Sequence, residues 1–187
     1  FRSYVISIFM FIGATNMTLI YFCFNGNVKK LFHDEEFRWF FWFVAIMIAV
    51  STAWVMYQGF ATDFLSAFRK ASFQVVTLVS TCGFATENYI PWGPFFWMIA
   101  LILMFICGCA GSTCGGLKIG RFAILSKNLF NEFKKQTHPH AIIPVRMDTH
   151  IVSGEVVHRV LAFAVAYMLL IVVSCIVLML DGLGFRS

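Results

Sequence analysis

The run Thr77-Leu78-Val79-Ser80-Thr81-Cys82-Gly83-Phe84-Ala85-Thr86 is short, polar and glycine-containing, and it lies between two long apolar stretches. Backbone at membrane depth must satisfy its own hydrogen bonds unless it lines water or ions. A Thr-x-Gly-aromatic turn placed there presents successive carbonyl oxygens that can replace the hydration shell of a cation. Gly83 is expected to take the φ > 0 backbone that turns the carbonyls inward. Phe84 is expected to wedge the turn against surrounding helices. Ser80, Thr81, Cys82, Gly83 and Phe84 are therefore the candidate ion-binding residues.

A second constellation is Gly108-Cys109-Ala110-Gly111-Ser112-Thr113-Cys114-Gly115-Gly116, followed by Leu117 and Lys118. It approaches a phosphate-binding loop, but Leu117 occupies the lysine position and no strand pattern precedes it. A metal site from Cys107, Cys109 and Cys114 lacks His or carboxylate partners. The reading that remains is an unwound break in the inner half of a span, tolerated at depth only beside a cavity. The plain alternative is a passive small-residue kink that lets helices pack closely.

These candidates need membrane elements to hold them. Hydrophobic residues make up 60% of the chain and charged ones 12%, with mean hydropathy +0.81. Soluble domains carry about 25% charged residues, so the composition is that of an integral membrane protein. The net charge of +5 lies in short loops rather than on one amphipathic face, which argues against nucleic acid. A helix crossing the hydrocarbon core needs about 20 mostly apolar residues. Residues 4–24, with Gly13 and Asn16 as interruptions, residues 37–60 and residues 156–180 meet that length. Residues 28–38 form a charged connector. Residues 63–79 are too short and polar to cross, and read as a re-entrant helix with Asp63 as N-cap and its C-terminus aimed at the turn. A helix C-terminus carries partial negative charge, which favours a cation in front of it. Residues 94–107 begin a third span, which breaks at 108–116 and resumes from Leu117 to Gln136 as a basic extension.

Lys29, Lys30, Arg38, Lys118, Arg121, Lys127, Lys134, Lys135, Arg146 and Arg159 fall on one side of this topology, and Arg69, Lys70 and Arg186 on the other. The positive-inside rule puts the first set in the cytoplasm, so the turn faces outward. Glu87 and Asp63 then lie near the outer mouth, where carboxylates raise the local cation concentration or are merely solvated. Asn16 is read as a helix–helix hydrogen-bonding residue. His138 and His140 flank Pro139 and are read as turn residues. The six cysteines are read as buried reduced thiols. The chain opens on Phe1 without Met and closes on Ser187 just past a span, with no signal peptide, so it reads as a fragment.

Four stretches together resemble the TrkH/KtrB family of potassium uptake proteins: residues 13–16, residues 73–76 running into 80–84, residues 108–118, and His138-Pro139. The resemblance covers essentially the whole chain, and residues 108–118 are its most specific part. It implies an all-α integral membrane fold of the potassium-channel-like superfamily, with span–pore helix–span repeats around one pore. Residues 1–24 would be the second helix of a preceding repeat, 37–136 a complete repeat, 137–155 a cytoplasmic connector and 156–180 the first helix of the next. It further implies potassium at the carbonyls of Thr81, Cys82 and Gly83, residues 108–116 as a gating loop, and Lys118 as a positive field at the inner pore mouth. No cofactor is implied. The implied partners are a TrkA/KtrA-type cytosolic nucleotide-binding ring docking on residues 118–136, membrane lipid, and a second copy in a homodimer, in the bacterial inner membrane.

Two other classes remain at this level. An enzyme needs a convergent acid, base or nucleophile, and no span carries one. Another monovalent cation channel or transporter, sodium-coupled or sodium-permeable, is the alternative within ion transport. A broken-helix solute carrier is separated by whether the filter turn recurs elsewhere in the full protein. A minimal tetrameric channel is disfavoured by the extra spans and by the break at 108–116.

Overall fold

The computed structural model describes residues 2–61, 63–137, 144–147 and 150–180. Helices α1 (Arg2–Ala14), α2 (Met17–Phe24), α3 (Val28–His33), α4 (Glu35–Tyr57) and α5 (Phe64–Val79) come first. A 3-10 turn at Ile90–Trp92 leads into α6 (Pro94–Phe105), strands β1 (Ile106–Cys107) and β2 (Leu117–Lys118), and α7 (Ile119–Thr137). Strands β3 (Arg146–Met147) and β4 (His150–Ile151) and helix α8 (Gly154–Leu180) complete the described chain. Residues 1–123 and 124–187 form two compact units.

In the first unit α4 is set by its start. Asp34 is the N-cap, its carboxylate accepting from the Phe37 amide at 2.8 Å, and Glu35 and Glu36 complement the helix dipole in the first turn. Its 23 residues are long and apolar enough to cross a membrane. The 16 residues of α5 reach only about 24 Å at 1.5 Å per residue, short of a hydrocarbon core. Helix α5 is nonetheless the most enclosed element, burying Ala67, Ala71, Phe73, Gln74, Val75, Val76, Thr77 and Val79 against α4, α1 and α6. Asp63 stands at its N-cap position, but its side chain makes no capping bond there.

One core joins α1, α4, α5 and α6 through Met10, Phe40, Val44, Phe73, Val76, Ile99 and Leu103. A smaller core gathers Val55, Ala67, Trp92, Phe96 and Ala100, and the Trp54 indole donates to the Trp92 carbonyl at 2.8 Å. Gly93, with φ 87°, turns the chain into α6, where Pro94 occupies a position whose amide needs no partner.

The first apolar stretch, read as a span with interruptions at Gly13 and Asn16, is two helices. Helices α1 and α2 meet at 110° across Thr15 and Asn16, and Asn16 caps α2 by accepting from the Thr18 amide at 2.9 Å. The cause is the competition for the Gly13 and Ala14 carbonyls described below. The charged connector also contains a helix, α3.

In the second unit α8 has 27 residues, again enough to cross. Strands β3 and β4 pair antiparallel, and the Lys127 ammonium donates to the Arg146 carbonyl at 2.8 Å. His138 and His140 lie outside the described residues, as does Arg186. The two-residue strand pairs were not expected from the sequence; each closes a loop rather than building a sheet.

Candidate functional site

The turn at residues 80–84 begins as a helix C-cap. The Ser80 amide donates to the Val76 carbonyl at 3.0 Å, the Thr81 amide to Leu78 at 3.1 Å and the Cys82 amide to Thr77 at 3.2 Å. The last two are the paired bonds of a Schellman motif, whose left-handed residue is normally glycine. Here it is Thr81, with φ 55°, a backbone rare for a β-branched side chain and costing about 1–2 kcal/mol. Gly83 follows with φ 74°. The amides are thus drawn back onto α5. Among the described residues no donor is bonded to the carbonyls of Thr81, Cys82 or Gly83. Those oxygens stand at the negative end of α5.

Phe84 is 58% exposed within this chain and belongs to neither core cluster; here the C-cap bonds, rather than packing of its ring, fix the turn. Cys82 and Cys175 are likewise exposed, Cys23 is half-buried and Cys107, Cys109 and Cys114 are buried, all as free thiols. Glu87 is ion-paired with Lys70 at 2.9 Å, so its charge is balanced.

Residues 108–116 leave α6 through a neck. Strand β1 pairs parallel with β2, Ile106 opposite Leu117 and Cys107 opposite Lys118, and the Ile119 amide donates to the Gly108 carbonyl at 3.2 Å. The segment between is not helical, yet its backbone groups find partners across the α1–α2 break. The Cys109 amide donates to the Ala14 carbonyl at 2.9 Å and the Thr113 amide to Gly13 at 3.3 Å, while the Met17 amide donates to Gly111 at 3.3 Å. The Thr113 hydroxyl adds a bond to Gly13 at 3.1 Å. Two interruptions of helix therefore satisfy each other, which is the condition that irregular backbone must meet away from water.

Three side chains complete the segment. One oxygen of Glu36 accepts from the Ala110 amide at 2.6 Å and from the Gly120 amide at 3.1 Å. The Lys118 ammonium donates to the Ser112 carbonyl at 3.3 Å, the Ser112 hydroxyl at 3.1 Å and the Cys114 carbonyl. Lys118, which the resemblance implies as a positive field near the inner pore mouth, turns its donors into the segment it follows. The Gly115 amide donates to the Thr81 hydroxyl at 3.2 Å, so the two candidate constellations, 34 residues apart in sequence, touch.

Sequence reading missed Glu36, Gly13, Ala14 and Gly120 as parts of this arrangement. A signal existed for Glu36: Asp34, Glu35 and Glu36 are three acids inside a connector otherwise read as basic. Among the described residues no group of three His, Cys, Asp or Glu is arranged to hold a metal ion.

Residues 1–184 match the family model described as TrkH, cation transport protein. The chain belongs to the TrkH cation transport family. It is 31% identical over 179 residues to the Trk system potassium uptake protein TrkH of Salmonella typhimurium, covering 95% of this chain and 37% of that one. With TrkH of Vibrio parahaemolyticus it shares 33% over 194 residues, 100% of this chain and 40% of that one. With TrkG of Escherichia coli it shares 30% over 190 residues, 99% and 39%. The crystal structure of the potassium transporter TrkH from Vibrio parahaemolyticus superposes with a TM-score of 0.90 at 31% identity, over 97% of this chain and 40% of that one. The TrkH fold, an all-α integral membrane architecture, is thereby shared. The chain spans about two fifths of the length of these relatives. The family transports cations; it is not a family of enzymes.

Proposed function

We propose that the protein to which this chain belongs takes up potassium across the bacterial inner membrane. The residue 80–84 turn supplies one quarter of a carbonyl ring, and residues 108–116 gate the path beneath it. One observation carries this reading. The carbonyls of Thr81, Cys82 and Gly83 have no donor among the described residues and stand at the C-terminus of a helix too short to span. Carbonyl dipoles so placed take over a cation's hydration. The names of the relatives, all Trk potassium uptake proteins, supply the ion.

In this reading the turn faces outward and the basic α7, with Lys134 and Lys135 in its last turn, enters the cytoplasm. There it would meet a TrkA/KtrA-type nucleotide-binding ring, which moves α7 and with it residues 108–116. The protein would work as a homodimer in lipid. The contact from Gly115 to Thr81 supports a gate that closes directly against the turn.

The test is rubidium and sodium flux into vesicles holding the full-length protein. Deleting residues 110–115 should raise basal rubidium flux several-fold. Gly83→Ser, which forces a side chain onto φ 74°, should lower the rubidium-to-sodium ratio. Unchanged flux on deletion would sink the gate. A ratio near one in the wild type would turn the reading towards a general monovalent cation pathway.

A further inference from the structure

The geometry points to Glu36 as a clasp that holds residues 108–116 in the closed position. It is a positioning residue that works on both ends of the segment through a single carboxylate oxygen. This rests on the gate reading above and names the side chain that sets its resting state.

The residues on either side of the contact are far apart in the chain. Ala110 lies 74 positions from Glu36 and Gly120 lies 84 positions away. Ala110 is at the entry of the segment, and Gly120 is in the first turn of α7, just past its exit. Bridging both with Oε1 closes the segment as a loop independent of the β1–β2 neck. Helix α7 begins with amides that have no intrahelical acceptor, and the Gly120 amide is one of them, so the carboxylate also serves as a remote cap for that helix. Hydrogen bonds to an ionised acceptor are about twice as strong as neutral ones. Glu36 is itself fixed, since it stands in the first turn of α4 beside the Asp34 cap.

Glycine at position 120 fits this role. A Cβ there would stand 2.6 Å from Glu36 Oε1 and 2.8 Å from its Cδ, closer than any real contact. A flexible side-chain end would be driven away, and the bond to Ala110 with it. Helical propensity alone favours alanine over glycine by about 1 kcal/mol, so the absence of a Cβ at 120 makes room for the carboxylate. Opening the segment by motion of α7 must then separate Gly120 from Ala110 or break their common partner. Any force that moves the start of α7 is therefore transmitted to Glu36.

The experiment uses the full-length protein in lipid vesicles and reads the loop directly. Cys109 is fully buried and Cys114 nearly so, so maleimide labelling at each, quantified by peptide mass spectrometry, reports loop opening. Glu36→Ala should speed labelling at both by about a hundredfold, the change in opening equilibrium expected from losing two charge-assisted hydrogen bonds at about tenfold each. Gly120→Ala should do the same with the carboxylate intact. Glu36→Gln, which keeps an acceptor oxygen in place, should fall between Glu36→Ala and wild type, a rescue that a space-filling role would not give. If Glu36→Ala does not fold, Gly120→Ala carries the test. Wild-type labelling rates in the folded variants overturn the clasp. Faster labelling with unchanged rubidium flux keeps the clasp and overturns the gate instead.

Discussion

Gly108 is the tightest backbone position in the loop, and replacing it with alanine has a consequence that follows from distances. A Cβ at 108 would lie 2.4 Å from the Ala14 carbonyl oxygen, 3.1 Å from its carbon and 3.0 Å from Cys114 Sγ. Carbon–oxygen contacts settle at about 3.3–3.6 Å, so the segment must retreat by roughly 1 Å from a backbone atom that cannot swing aside. The neighbouring Cys109 amide is bonded to that same Ala14 oxygen at 2.9 Å. A retreat of that size takes it to about 3.9 Å, beyond a hydrogen bond. The lost bond leaves two buried polar groups unpaired, costing about 1–3 kcal/mol, and residual overpacking adds about 1–3 kcal/mol. A total of about 3 kcal/mol should lower the thermal midpoint of the purified full-length protein by about 5 °C, read by size-exclusion chromatography after heating. Gly115→Ala is the matched control, because a Cβ there meets nothing within 4 Å. Equal midpoints for the two variants would refute the docking of residue 108 on the α1–α2 break.

The left-handed backbone of Thr81 predicts an unusual order of stabilities. Thr81→Ala keeps the strain and loses the hydroxyl that accepts from Gly115, whereas Thr81→Gly loses the hydroxyl but relieves the strain. Thr81→Gly should therefore be the more stable of the two by about 1 kcal/mol, and equal thermal midpoints would contradict the assigned φ. At Lys118 the question is charge against geometry. Lys118→Arg keeps the charge but replaces three rotatable donors with a planar fork. If the ammonium works by tying Ser112 and Cys114, Lys118→Arg and Lys118→Met should both speed Cys114 labelling several-fold. If only a positive field matters, Lys118→Arg should behave as wild type.

What the sequence reveals here divides by range. The spans at α4 and α8, the short α5 and the glycine at 83 are written in local composition and length, and their positions agree with that reading to within a few residues. Residues 108–116 are legible as a break because glycine and serine are concentrated there. The 110° bend at Thr15 and Asn16 is legible only as interruptions at Gly13 and Asn16, since hydropathy is blind to which carbonyls are in demand. Glu36 is hidden for a related reason. Its partners lie 74 and 84 positions away, and a contact at that range leaves no periodic trace. Thr81 is missed because a left-handed C-cap is sought at glycine, and the glycine stands two residues later. Phe84 is a different case: within this chain it stays exposed, and the turn is secured by amides already bonded to α5.

The pairing of the two breaks has a consequence for how the segment can move. In the closed arrangement the carbonyls of Gly13, Ala14 and Gly111 and the amides of Met17, Cys109 and Thr113 satisfy one another. Displacing residues 108–116 removes a partner from all six groups at once. At membrane depth each unsatisfied group costs several kcal/mol, a sum too large for a partner's binding energy to supply if the site stayed dry. Hydrated, each exchange of a protein partner for water costs only about 0.5–1.5 kcal/mol. Opening and wetting must therefore be one event. On the proposed gate, water filling a cavity beneath the turn is the same water that makes release of the segment possible. That links permeation to the stability of the closed state through the backbone itself. Glu36 and Lys118 add charged hydrogen bonds to the same segment, at Ala110 and Gly120 and at Ser112 and Cys114, and water can replace those partners as well.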